Sequence, residues 1–112
     1  MFRFLFILTD KAEIINVTVN VGLTSLSATL SLEEANSTVD VTCHVDANPA
    51  ASIELVKDSD EQVAETTGYV IGHHISRSCQ NNGLYVFEAW NKLNAIKARS
   101  QPIRLNIYCK YP

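Results

Sequence analysis

The chain lacks a surplus of positive charge. Its 112 residues carry 9 Lys and Arg against 12 Asp and Glu, so the basic footprint of a nucleic-acid binder is missing. It lacks an apolar run long enough to span a bilayer. It has no Gly-x-Ser-x-Gly elbow and no phosphate-cradling glycine loop. CxxC and HxH pairs are absent too. Cys79 beside a histidine could in principle form a nucleophile and base, but nothing in the spacing supports that pairing. His73 and His74 are adjacent, and on a strand they would point to opposite faces, which is unfavourable for holding one ion. The expectation is therefore a non-enzyme without metal or cofactor. Internal repeats, low-complexity segments and a long helical stripe are also missing. Leu32-Glu33-Glu34-Ala35 has helical composition but is too short to form a helix of consequence.

What is present is an ordinary globular composition, 46% hydrophobic against 19% charged, which excludes a disordered chain. The length fits one domain with one core. Charge is uneven: residues 1–56 hold seven acids and two bases, residues 57–112 five acids and seven bases. Lys92, Lys97, Arg99, Arg104 and Lys110 give the C-terminal end a basic edge, read as solvated. Residues 1–11 form an apolar N-terminal segment. Met1-Phe2-Arg3-Phe4-Leu5-Phe6-Ile7-Leu8 resembles the start of a secretory signal, although no small-residue cleavage site follows. A first strand or the start of a fragment are the other readings. The domain proper is assigned to residues 12–112. Three cysteines are an odd number, so one pair can close and one thiol remains. Asn16-Val17-Thr18 and Asn36-Ser37-Thr38 are glycosylation sequons, which mark Asn16 and Asn36 as acceptors in a secreted chain.

The dominant hydrophobic period is two. Val39, Val41, Cys43 and Val45 alternate with Asp40, Thr42 and His44, as along a half-buried strand. Ile103, Leu105 and Ile107 repeat the pattern. Turn signals stand at Asn48-Pro49, Lys57-Asp58-Ser59-Asp60, Gly68, Asn81-Asn82-Gly83 and Asn91-Lys92-Leu93-Asn94. The strands expected between them cover 14–21, 26–32, 38–46, 52–57, 62–66, 69–77, 84–90 and 98–109. Pro102 argues for an edge or a bulge at the start of the last. Many short strands separated by turns imply an all-β sandwich or barrel.

Gly83-Leu84-Tyr85-Val86-Phe87-Glu88-Ala89-Trp90-Asn91 resembles the Gly-x-Tyr-x-Cys-x-Ala-x-Asn stretch on strand F of immunoglobulin-like domains, with Phe87 where the cysteine belongs. Cys43 resembles the first cysteine of that family, midway along strand B. Asn48-Pro49 through Ile53-Glu54-Leu55-Val56-Lys57-Asp58 resembles the loop and strand C, with Leu55 at the tryptophan position. The fibronectin type III sandwich also has a tyrosine on its sixth strand, but its Ala-x-Asn usually lies further from it. The resemblance covers roughly residues 25–109 and looks most like the short extracellular types of adhesion and invertebrate immune-recognition proteins.

The resemblance implies an all-β, two-sheet antiparallel immunoglobulin-like sandwich with Greek-key connections. It implies a core that includes Val41, Leu55, Tyr85, Phe87 and Leu105. The family's central disulfide cannot form. Leu55 is smaller than tryptophan and Phe87 larger than cysteine, so volume lost on strand C is regained on strand F, and conserved volume is what cores tolerate best. Cys43 then becomes a buried free thiol. The family places the E–F turn and the end of strand G at one pole, which implies a Cys79–Cys109 bridge. The alternative is that all three thiols stay reduced, as in a cytosolic domain of the muscle type. Glu88, Trp90, Arg104 and Tyr108 should share one exposed face with Glu54, and Trp, Tyr and Arg are enriched at binding hot spots. The expected function is a non-catalytic extracellular recognition or adhesion module for a protein or glycan partner, within a larger cell-surface or secreted protein. A structural spacer between neighbouring domains is the alternative.

Overall fold

The computed structural model describes residues 9–21, 24–25 and 29–109. The apolar segment 1–8, residues 26–28 of the second expected strand and residues 110–112 lie outside this description. The strands are β1 (Asp10–Val21), β2 (Thr24–Ser25), β3 (Thr29–Glu33), β4 (Thr38–Asn48), β5 (Ala51–Lys57), β6 (Glu61–Gly68), β7 (Val70–Ser76), β8 (Gly83–Trp90), β9 (Ala98–Arg99) and β10 (Ile103–Tyr108), with one 3-10 turn at Cys79–Asn81. They form two sheets. One has the order β2-β1-β4-β7; the other has the order β3-β10-β8-β5-β6, with β9 beside β8. The expected two-layer sandwich is therefore the fold. All neighbouring pairs are antiparallel except β3 and β10, which run parallel.

Alternation builds the core. Along β4, Val39, Val41, Cys43, Val45 and Ala47 are buried while Asp46 and His44 are exposed. Along β8, Tyr85, Phe87 and Ala89 turn inward. Val41, Leu55 and Leu105 are buried with them. Leu55 and Phe87, the two departures from the family pattern, are register partners on adjacent strands, and both are 0% exposed. The volume exchange is thus a side-by-side one, on a single rung of a single sheet. Cys43 is a free thiol in the facing sheet, also 0% exposed. Burial pushes its pKa up to about 11, so it is a protonated, apolar filler at neutral pH.

Most strand boundaries move by a residue or two, a short β2 stands where none was expected, and two differences are larger. β1 begins at Asp10, four residues earlier than periodicity suggests. Its start is fixed from elsewhere: Asn91 Nδ2 donates to the Asp10 and Pro49 carbonyls at 2.7 and 2.9 Å. Asn94 Oδ1 accepts from Ala12 N at 2.8 Å and from Asn91 N at 2.9 Å. Two asparagines thus tie β1, the β4–β5 turn and the β8–β9 loop into one pole. The second difference is the break of the last strand into β9 and β10 across residues 100–102. Pro102 has no N–H for a ladder, and Ser100 takes over the pairing. Its N–H reaches the Phe87 carbonyl at 2.9 Å, and its hydroxyl accepts from Phe87 N at 2.9 Å.

The opposite pole is also cross-tied. Tyr85 is 2% exposed, and its hydroxyl donates to the Asn81 carbonyl at 2.7 Å. This is the tyrosine corner that the Gly83-x-Tyr85 spacing implies. Asn82 joins its side-chain amide to the backbone of Ile107 in both directions, extending the β8–β10 ladder by one rung. Gly83 fits because a Cβ there would stand 2.8 Å from Lys57 Cε and 3.1 Å from both Asp58 carboxylate oxygens.

Burial, with Asp58 and Glu61 nearby, pushes the Tyr85 hydroxyl up to about 12. An acid raised in the folded state stabilises the fold fully below its unfolded value and loses that contribution as pH rises through the folded value. Stability is therefore expected to fall between about pH 10 and 12, by on the order of 2 kcal/mol from this group. Denaturant titrations across that range should show the fall in the native chain and a shallower one in Tyr85→Phe.

Candidate functional site

The outer face of β6, β5, β8 and β9 is built by the same alternation that fills the core. Side chains between the inward Ile53, Leu55, Phe87 and Ala89 point outward. Register stacks them into rungs. Glu65 on β6 lies opposite Glu54 on β5, Glu54 lies opposite Glu88 on β8, and Glu88 lies opposite Arg99 on β9. The next rung is Thr67, Ser52 and Trp90. Three carboxylates therefore stand directly side by side across three strands, an arrangement that costs free energy through like-charge repulsion.

The neighbouring groups answer that charge only in part. Gln62 Nε2 donates to Glu54 Oε2 at 3.1 Å and to Glu65 Oε2 at 3.2 Å. Arg99 Nε sits 3.1 Å from Glu88 Oε2. Lys97 Nζ lies 3.9 Å from both Glu54 Oε1 and Glu88 Oε1. The same ammonium lies 4.0 Å from the centroid of the Trp90 ring, within the reach of a cation–π contact. The Glu54 and Glu88 side chains are 14% and 17% exposed, whereas Lys97 is 47% exposed. The acids are held in the sheet and the lysine rests over them. Beside Trp90 opens a cleft of about 410 Å³ lined by Ser52, Glu54, Gln62, Glu65, Thr67 and Trp90.

The four residues expected to make one face divide into two groups. Trp90 lines this cleft, and Glu88 stands beside it on the Glu54 rung. Arg104 pairs with Leu84 and Thr29, and Tyr108 with Glu33, at the other end of the sheet. Leu84 and Trp90 are six positions apart on β8, which at strand rise is roughly 20 Å. Tyr108 is an exposed aromatic without a place in the cleft. Val56, which strict alternation along β5 would turn outward with Glu54, is only 8% exposed, because a bulge between Leu55 and Val56 shifts the β5–β6 register. The sequence pattern did not single out Glu65 or Gln62, and it placed Lys97 and Arg99 only on a solvated basic edge. The outward parity of Glu54 and Glu88 was visible. The return of the 91–97 loop, which brings Lys97 and Arg99 over them, depends on the Asn91 and Asn94 contacts and left no periodic signal.

The remaining marked residues lie elsewhere. Asn16 is exposed on β1, paired with His44 on the outer side of the other sheet. Asn36 is exposed in the β3–β4 turn. Asp40 Oδ1 meets His74 Nδ1 at 2.6 Å, and hydrogen bonds from His74 and Thr38 hold the Asp40 carboxyl below the usual carboxylate range. His73 is half-buried on the opposite side of β7. Cys79 and Cys109 form a disulfide with a Cα separation of 5.1 Å. It joins the 3-10 turn before β8 to the residue after β10, at the pole that the family resemblance implied. Arg77 holds the same pole through its donations to the Glu33 carbonyl at 2.9 and 3.2 Å.

No protein-family model matches the chain, and no curated protein matches it in sequence. Among solved structures it is similar to a chimeric titin Z1Z2 functionalized with an exogenous KLER peptide from decorin. That match has a TM-score of 0.63 and 14% identity, and covers 91% of this chain and 98% of that one. At that identity the likeness concerns the fold alone, and the chain has an immunoglobulin-like fold.

Proposed function

We propose that this immunoglobulin-like domain is a non-catalytic extracellular recognition module, part of a larger cell-surface or secreted protein, that engages a protein or glycan partner. The observation that carries this reading is the Trp90 cleft. An aromatic ring and several outward polar groups are gathered on a rigid sheet, at a charge cost that packing does not require. The Cys79–Cys109 disulfide supports an oxidising compartment. The exposed positions of Asn16 and Asn36 suit glycan attachment. A cofactor has no part in this function.

The test is expression through a secretory pathway, followed by binding to panels of ectodomains and glycans. Glycan mass is expected at Asn16 and Asn36. Trp90→Ala should weaken binding of the captured partner by at least about 30-fold, the loss typical of a hot-spot aromatic. Equal affinity of the native and Trp90→Ala domains for every partner would refute this face as the recognition surface.

A second reading, a spacer between neighbouring domains, is favoured by one observation. β1 starts at the pole where Asp10 pairs with Asn48, and β10 ends at the opposite pole beside Cys79. Neighbouring domains attached there would continue in line.

A further inference from the structure

We infer that the Trp90 ring with Glu54 and Glu88, at the edge of the cleft, is a receptor for a cationic side chain, and that Lys97 is its internal occupant, displaced when a lysine- or arginine-bearing segment of a partner protein docks. This rests on the recognition reading above and names the chemistry of the partner. Three observations converge on it.

The first is the charge count on one rung. Glu65, Glu54 and Glu88 are direct cross-strand neighbours. Among the described residues the cations paired with this rung are Lys97, on Glu54 and Glu88, and Arg99, on Glu88, so three carboxylates face two cations. Gln62 gives amide donors to two of the acids but no charge. The second is desolvation. Glu54 and Glu88 are largely covered by the sheet, and charges removed from water attract an incoming cation more strongly than exposed ones do. The third is the seat itself. An ammonium already rests on the Trp90 face between two carboxylates, which demonstrates the fit of a primary amine there. Lys97 comes from the loop between β8 and β9, outside any strand, so it can leave without unzipping a ladder. The cleft continues past Trp90 along Ser52 and Thr67, which leaves room for the stem and backbone of an arriving residue. A glycan would stack on the ring equally well, but it would leave the excess negative charge of the glutamate rung unanswered.

Lys97 acts in this account as a competitor. A site occupied by its own lysine nine-tenths of the time binds an external one about tenfold more weakly than its intrinsic affinity. Removing Lys97 should therefore tighten binding, the opposite of what a contact residue would show.

Trp90 is the sole tryptophan of the chain, so its emission reports the cleft directly. The experiment titrates the whole domain with the peptide acetyl-Gly-Lys-Lys-Gly-amide at low salt. The matched peptide with norleucine in place of both lysines serves as the uncharged control. Lys97→Ala is expected to bind the lysine peptide about tenfold tighter than the native domain, with saturable change in Trp90 emission. Lys97→Met, which keeps an apolar stem over the ring, should bind it at an affinity between the two. Adding Glu54→Gln to Lys97→Ala should remove most of the gain, and raised salt should weaken binding throughout. The inference is overturned if Lys97→Ala and the native domain bind equally, if neither responds, or if the norleucine peptide matches the lysine peptide. Binding of a glycan that depends on Trp90, with no response to the lysine peptide, would overturn this inference and leave the recognition reading standing.

Discussion

Phe87→Ala is expected to destabilise the domain by about 3–5 kcal/mol, the range for emptying an aromatic site in a closed core. Phe87 is fully buried, its backbone is fixed on one side by Leu55, and Ser100 holds the other. The surroundings therefore have little freedom to collapse into the void. Phe87→Leu should lose only about 1 kcal/mol, because it nearly conserves volume. The sharper measurement concerns the rung that Phe87 shares with Leu55. If the two residues exchange volume, a larger side chain at 55 should hurt the native domain and help the truncated one. Leu55→Trp alone is expected to cost about 1–3 kcal/mol through overpacking. Combined with Phe87→Ala it should recover part of the loss, giving a strongly non-additive cycle. Urea unfolding of the four proteins measures this, and simple additivity would disprove the exchange.

Breaking the Cys79–Cys109 bridge is expected to lower stability by about 3–4 kcal/mol, from closure of a loop with a sequence separation of 30. The comparison is Cys79→Ala with Cys109→Ala against the native chain, by thermal or denaturant unfolding. A domain with typical stability of about 5–15 kcal/mol should remain folded after this loss. Glu34 Oε2 accepting from Cys79 N and the Asn82–Ile107 pairing hold the same pole without the sulfurs. Cys43 should stay unreactive toward thiol reagents in the bridge-free protein while it is folded. A fall well below 1 kcal/mol would mean that the pole is held by those hydrogen bonds instead.

The sandwich itself was legible because period-two alternation and a single tyrosine spacing carry information locally. Tyr85 needs only Asn81, four residues away, to declare its corner. Leu55 and Phe87 were legible as a pair because both depart from one family pattern in opposite directions. The true start of β1 was not legible, since Asp10 and Lys11 are polar and owe their strand geometry to Asn91 and Asn94 some eighty residues later. The cleft was half legible. Glu88 and Trp90 follow from strand parity, whereas the separation of Arg104 from them follows from the antiparallel register, which sets Arg99 opposite Glu88 and Arg104 opposite Leu84. Lys97 read only as one charge of a solvated basic edge, because a loop residue acquires its meaning only from what it lands on.

The disulfide has a mechanical consequence. When a pull separates Asp10 from Cys109, force entering at β1 leaves through the Cys79–Cys109 bond. β8, β9 and β10 then lie on a slack loop outside the load path. At a contour of at most about 3.3–3.6 Å per residue, the thirty-residue separation withholds roughly 100 Å of extension. Under tension the bridged chain would yield its N-terminal strands and β5 to β7 while the segment bearing Tyr85, Phe87 and Trp90 stays short-circuited. Reduction of one bond would place that segment back in line, lengthening the tether by a fixed step.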